Sequence, residues 1–227
     1  MSERGPIEDG QWAQQLDAHV VDAGPPPRLH GYDLWHDLAK SYGLAEIVLT
    51  ALVGEPPDAA HGRAFEVALV LAMPGTLGEA PTHAATIARM LASPPASITA
   101  MAALVLAEQA QAMIDAHAEW IAWLERGEGD PPAFGLAQED GDRESLAVVR
   151  TQVEPSVCPL LERIAPTTSA TIVTLLHACG LRTRAAMVSA LVLARLPTAV
   201  AEADRHRRAE LRSYPMQLPP FDYREDP

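Results

Sequence analysis

Apolar positions along this chain recur at helical spacing. Leu44, Ile47, Val48, Ala51 and Leu52 follow i, i+3, i+4, i+7 and i+8, which predicts an amphipathic helix that stops at Gly54 before Glu55-Pro56-Pro57. The next segment, residues 65–73, is apolar apart from Glu66 and closes at Pro74-Gly75, as expected of a helix at the centre of a bundle. Further helices are expected over residues 82–91, 97–126, 144–164, 168–179 and 183–211, with Pro94-Pro95 and Pro131-Pro132 as breaks. No stretch sustains the apolar–polar alternation of a strand, and alanine, leucine and glutamate favour helix. The expected class is all-α, with residues 65–73 and 100–106 buried at the centre of one bundle.

The ends and one internal segment read differently. Residues 1–28 form an acidic tail in which Gly24-Pro25-Pro26-Pro27 is a stiff spacer, and residues 214–227 are rich in proline and aromatics without helical spacing,. A helical domain is expected over 29–213. Within it, 127–143 reads as a loop holding Gly127, Gly129, Pro131, Pro132, Gly135 and Gly141,.

Charge and cysteine content narrow the function. A formal charge of −13 opposes the phosphate-neutralising surface of a nucleic-acid binder and the approach to an anionic membrane. Cys158 and Cys179, outside any CxxC spacing, read as small core residues, which makes a reducing cytoplasm the expected setting. The N-terminal residues lack the apolar segment of an export signal, and no uninterrupted apolar run is long enough to cross a bilayer,. No metal-ligand spacing is found. His117, between Asp115 and Glu119, reads as an ordinary surface histidine, since those neighbours do not gather on one helical face. Trp120 and Trp123, three residues apart, read as core packing, and 204–208 (Asp-Arg-His-Arg-Arg) as cations closing a helix,.

The order of the landmarks carries a resemblance. Gly31-Tyr32-Asp33-Leu34, the helix from Leu44, and Gly54-Glu55-Pro56-Pro57 are followed by Pro81-Thr82, Ala88-Arg89, Phe134-Gly135 running to Gly141-Asp142-Arg143, and Ala194-Arg195-Leu196-Pro197. Tyr214-Pro215-Met216 and Asp222-Tyr223 close the series. Over roughly residues 29 to 225 this resembles a divergent, shortened member of the citrate synthase and citryl-CoA lyase family, and implies that family's multi-helix bundle with the small domain largely missing. Only about one helix fits between Arg143 and Ser169, so 144–168 would be the remnant of that domain and could not close as a lid.

The resemblance also implies which side chains should do chemistry. In the family a carboxylate moves a proton at the acyl-CoA α-carbon while histidines polarise the carbonyls. The matching positions here are Pro74, Gln111, Leu136 and Ser169. Proline and leucine have no proton to give, and a serine hydroxyl is a poor base without an activator. Arg195 matches an arginine that grips a substrate carboxylate, and Arg143 is a second candidate. No catalytic residue and no cofactor follow from this pattern, although a CoA thioester is the ligand it admits.

The expected function is therefore that of a catalytically degenerate relative, a pseudoenzyme that serves as a subunit in a homodimer or in a hetero-oligomer with a citrate-synthase-like homologue. The alternative is a divergent carbon–carbon lyase or acyltransferase acting on acyl-CoA or polycarboxylates through a rearranged set such as Glu79, His83, Glu108 and Arg195. A carboxylate-sensing module built on Arg195 is the third reading.

Overall fold

The structure, a computed structural model, describes residues 20–205 with the exception of residue 138. Most of the acidic N-terminal tail, the whole C-terminal tail and residues 206–208 of the basic segment lie outside the described residues. The chain enters through three two-residue strands, β1 (Val21–Asp22), β2 (Arg28–Leu29) and β3 (Tyr32–Asp33), paired antiparallel in that order with Val21 opposite Leu29 and Leu29 opposite Tyr32. Asp33 then accepts the Trp35 and His36 backbone N–H groups at 2.9 Å each and starts a π-helical turn, Leu34–Leu38, that runs into α1 (Ala39–Ser41). This small sheet is the only strand content beyond one isolated bridge among the described residues.

The remaining elements are helices: α2 (Leu44–Val53), α3 (Ala59–Ala72), α4 (Ala80–Met90), α5 (Pro95–Ala116), α6 (Ala118–Arg126), α7 (Asp140–Gln152), α8 (Leu160–Arg163), α9 (Thr168–Ala178) and α10 (Arg184–Arg205). Local chemistry sets their ends. The Glu46 carboxylate accepts the Gly43 N–H at 2.7 Å at the start of α2, and Gly54 closes that helix with φ 104°, a left-handed conformation that glycine adopts without a Cβ clash,.

Two apolar clusters hold the helices together. The larger centres on α3 and α9 and gathers α2, α6, α7 and part of α10. In it α9 is the most enclosed element, with every residue from Ala170 to Leu176 buried. This corrects the sequence expectation for 65–73: Phe65 and Ala68 are fully buried, but Val70 is 56% exposed, because α3 is covered on only part of its circumference. The smaller cluster joins α4, α5 and α10 through Ala85, Ala88, Ile98, Ala102, Leu106, Ala199 and Ala203, where small side chains let the backbones approach closely. Residues 100–106 are likewise half right: Ala102 and Leu106 are buried while Met101 and Leu104 face outward.

Two predicted helices break. The segment 97–126 divides at His117 (φ −100°, ψ 14°) into α5 and α6, and 144–164 divides after Gln152, with Pro155 and Pro159 in the gap before α8,. Trp120 and Trp123 lie in the core with ring centroids 5.0 Å apart, as expected. Cys158 and Cys179 are free and buried, and burial pushes the Cys179 thiol up to about 12,.

Taken as whole helices rather than as unbroken apolar runs, α5 and α10 are long and apolar enough to cross a membrane by length and composition, with mean hydropathy 1.3 and 1.4 over their apolar windows. Only 28% and 33% of those windows is buried, and Met101, Leu104 and Leu193 are their large apolar side chains left exposed.

Candidate functional site

Cooperation between the two clusters leaves a cleft of about 490 Å³ where the ends of α3 and α7 and the N-terminus of α9 meet α5 and α10. Helical periodicity selects the lining. Leu106, Gln109, Ala110 and Met113 project from α5 at i, i+3, i+4 and i+7; Ser169 and Ile172 come from α9, and Leu191 and Arg195 from α10,. Pro74 and Glu79 close one side and Asp142 and Thr168 the other.

Of the six positions drawn from the family resemblance, the fold brings Pro74, Ser169 and Arg195 together in this cleft, with Glu79 of the rearranged set beside them, and leaves three outside. Gln111 is one of these. It lies off the lining face of α5 and donates to the Asp115 carboxylate at 3.0 and 3.1 Å; the glutamine in the cleft is Gln109, and the 3.6-residue period from Leu106 identifies it. Leu136 packs against the larger core, and its backbone bridges Pro166. Arg143, expected as a second anion-binding cation, is exposed and pairs with Asp140 at 3.1 Å. Its neighbour Asp142 turns inward instead, accepting the Thr168 N–H at 2.7 Å and the Thr168 hydroxyl at 3.0 Å, which fixes the start of α9,. His83 and Glu108, proposed for a rearranged set, are exposed and do not line the cleft.

Arg195 is already engaged. Its guanidinium forms an ion pair with Glu79 and donates to Gln109 Oε1 at 2.9 Å. Glu79 in turn accepts the Thr76 N–H at 3.0 Å. Burial works to raise the Glu79 pKa, yet the hydrogen bond from Arg195, the Thr76 N–H and the Arg195 charge together hold the carboxyl below its ordinary range,. Gly75 makes room for this arrangement, because a Cβ there would stand 3.1 Å from Arg195 Nη2. Counting Glu79, Asp142 and Arg195, the lining carries two carboxylates and one cation.

The sequence reading missed the partner of Ser169. Ser169 Oγ lies 3.0 Å from His117 Nε2, and His117 Nδ1 lies 2.8 Å from the Met113 carbonyl oxygen. His117 is only 8% exposed and meets the Phe134 ring edge-on with centroids 6.0 Å apart. It is therefore not a surface histidine. The break between α5 and α6 turns it inward, and neighbours in sequence such as Asp115 and Glu119 say nothing about a contact made 52 residues away. No arrangement of three or more histidine, cysteine, aspartate or glutamate side chains suited to a metal occurs among the described residues.

Comparison with known proteins adds one decisive likeness of shape. The structure superposes on that of citryl-CoA lyase from Hydrogenobacter thermophilus with a TM-score of 0.61 over 96% of this chain and 98% of that chain, at 15% sequence identity. The chain has a citryl-CoA-lyase-like fold. Its compact length is no departure from that protein, nearly all of which it spans. No protein-family model and no curated protein matches the chain in sequence.

Proposed function

We infer that this protein keeps the citryl-CoA-lyase-like scaffold without its carbon–carbon chemistry and acts as an associating subunit, paired with a second copy or with a citrate-synthase-like homologue. The observation that carries the reading is the uncovered apolar surface of the α4–α5–α10 unit. Ile87 on α4 is 41% exposed and Leu91, four residues on and just past the end of that helix, 71%; Leu104 is 64% exposed and Met101 41%, three apart on α5; Leu193 on α10 is 40% exposed. Residues three or four apart share a helical face, so these are stripes and not scattered exceptions, and stripes of this kind mark association surfaces.

The cleft supports the same reading. The cation that would grip a substrate carboxylate holds Glu79 instead. Pro74, which lines the cleft, offers no polarising donor.

Light scattering after size exclusion tests association. The purified chain is expected to run as a dimer, or to form a stoichiometric complex with a citrate-synthase-like protein of the same source. Leu104→Glu is expected to release it as a folded monomer. A monodisperse wild-type monomer, alone and in the mixture, sinks the proposal.

A further inference from the structure

We propose that Ser169 is a nucleophile, activated by His117, that takes the acyl group from esters or thioesters of short uncharged acids bound in the cleft. The inference concerns the cleft and is independent of how the apolar face is covered.

Hydrogen-bond chemistry assigns the direction of each contact. A carbonyl oxygen only accepts, so His117 Nδ1 must carry the proton that it shares with Met113 at 2.8 Å,. In the neutral ring Nε2 is then the acceptor, and Ser169 O–H must donate to it across 3.0 Å,. This is the arrangement by which an imidazole activates a hydroxyl: the base is within reach of the nucleophile and is held in one tautomer by a third group, here a backbone carbonyl. The Phe134 ring packs against the imidazole and the histidine is buried, so the ring is fixed rather than mobile on the surface.

Position and surroundings suit acyl transfer. Ser169 is the second residue of α9, and it lines the cleft, so its hydroxyl faces the space where an acyl group would sit. Leu71, Leu106, Met113, Ile172 and Leu191 line the cleft beside it, and a volume of about 490 Å³ holds a small acyl group with its linkage,. These apolar side chains favour an acyl chain without charge,.

The step balances without any further group. Ser169 Oγ attacks the acyl carbon, its proton passes to His117 Nε2, the carbon–sulfur or carbon–oxygen bond breaks, and the departing thiolate or alkoxide takes the proton from the imidazolium. Water then attacks the acyl-serine, gives a proton to Nε2, and releases the carboxylic acid as Ser169 recovers its proton.

The test uses the full chain and two probes. After exposure to a fluorophosphonate, peptide mapping of the wild-type protein should place the adduct on Ser169, with a labelling rate that rises with pH. Hydrolysis of p-nitrophenyl butyrate should saturate and should fall on the order of 10²-fold in Ser169→Ala and in His117→Gln. Circular dichroism checks that each variant is folded, and the adduct site and pH profile of the wild type give the same answer without a variant. No adduct, an adduct elsewhere, a rate at Ser169 indifferent to pH and to His117→Gln, or ester hydrolysis undiminished in a folded Ser169→Ala overturns the proposal.

Discussion

Single residues in this protein are constrained chiefly by what approaches them from distant parts of the chain. A Cβ at Gly135 would stand 2.2 Å from Trp120 Cε3 and 2.4 Å from Cζ3, and Trp120 cannot retreat because it is fully buried and its Nε1–H donates to Thr174 Oγ1 at 2.9 Å. Gly135→Ala should therefore destabilise the fold by about 1–3 kcal/mol, measurable by urea denaturation against the wild type. Glu79 makes a different kind of prediction. Its folded pKa lies below the ordinary carboxylate value, so its pairing with Arg195 contributes stability above that ordinary value and loses it as pH falls through the lowered one. Denaturation midpoints between neutral and acid pH should show wild type more stable than Glu79→Gln near neutrality, with the gap closing at the acid end. A gap that stays constant with pH would contradict the assigned ion pair.

Helix ends and breaks decide which side chains reach the cleft. Asp142, on α7, caps the first residue of α9 from outside, and the same α9 terminus is steadied by the Thr167 hydroxyl accepting the Ala170 N–H at 3.2 Å. Asp142→Ala should cost ~1 kcal/mol of stability, as loss of a helix cap does, and hydrogen exchange should quicken at the first turn of α9 before it changes in α4 or α5. Uniform protection along α9 in the variant would argue that the cap carries no weight. The divide between α5 and α6 matters in the same way. Continuous helix through residue 117 was the reading from periodicity alone, since Ala112 to Trp123 contains neither glycine nor proline. The backbone turns there nonetheless, and the turn sets His117 beside Ser169 and lays Trp120 against α9.

At the scale of the whole molecule, the fold and the make-up of the cleft lead to one biochemical expectation. Citryl-CoA should yield no acetyl-CoA and oxaloacetate with this protein, and those two should not condense, because no histidine is found among the described residues that line the cleft and its arginine is held by Glu79,. A coupled assay for oxaloacetate checks this independently of thioester hydrolysis, which releases CoA without breaking the carbon–carbon bond. Formation of oxaloacetate above the background of the buffer would return the protein to carbon–carbon chemistry.

Helical class was legible in the amino-acid order because periodicity and proline breaks are local: α2 from Leu44 to its Gly54 stop, α4 and α9 appear within a residue or two of expectation,. The burial of Trp120, Cys158 and Cys179 was legible for the same reason, since apolar side chains on an amphipathic face have one favourable place to go,. Three of the six positions drawn from family resemblance, Pro74, Ser169 and Arg195, also proved to share one cleft. What the order of residues does not contain is the meeting of elements far apart in the chain. Glu79 with Arg195 spans 116 residues and His117 with Ser169 spans 52; neither pair has a spacing rule, because each depends on how α4, α5, α9 and α10 pack. Gln109 in place of Gln111 and Asp142 in place of Arg143 have a simpler cause: a shift of one or two residues turns a helical side chain by 100° or 200°, and only packing decides which face is inward.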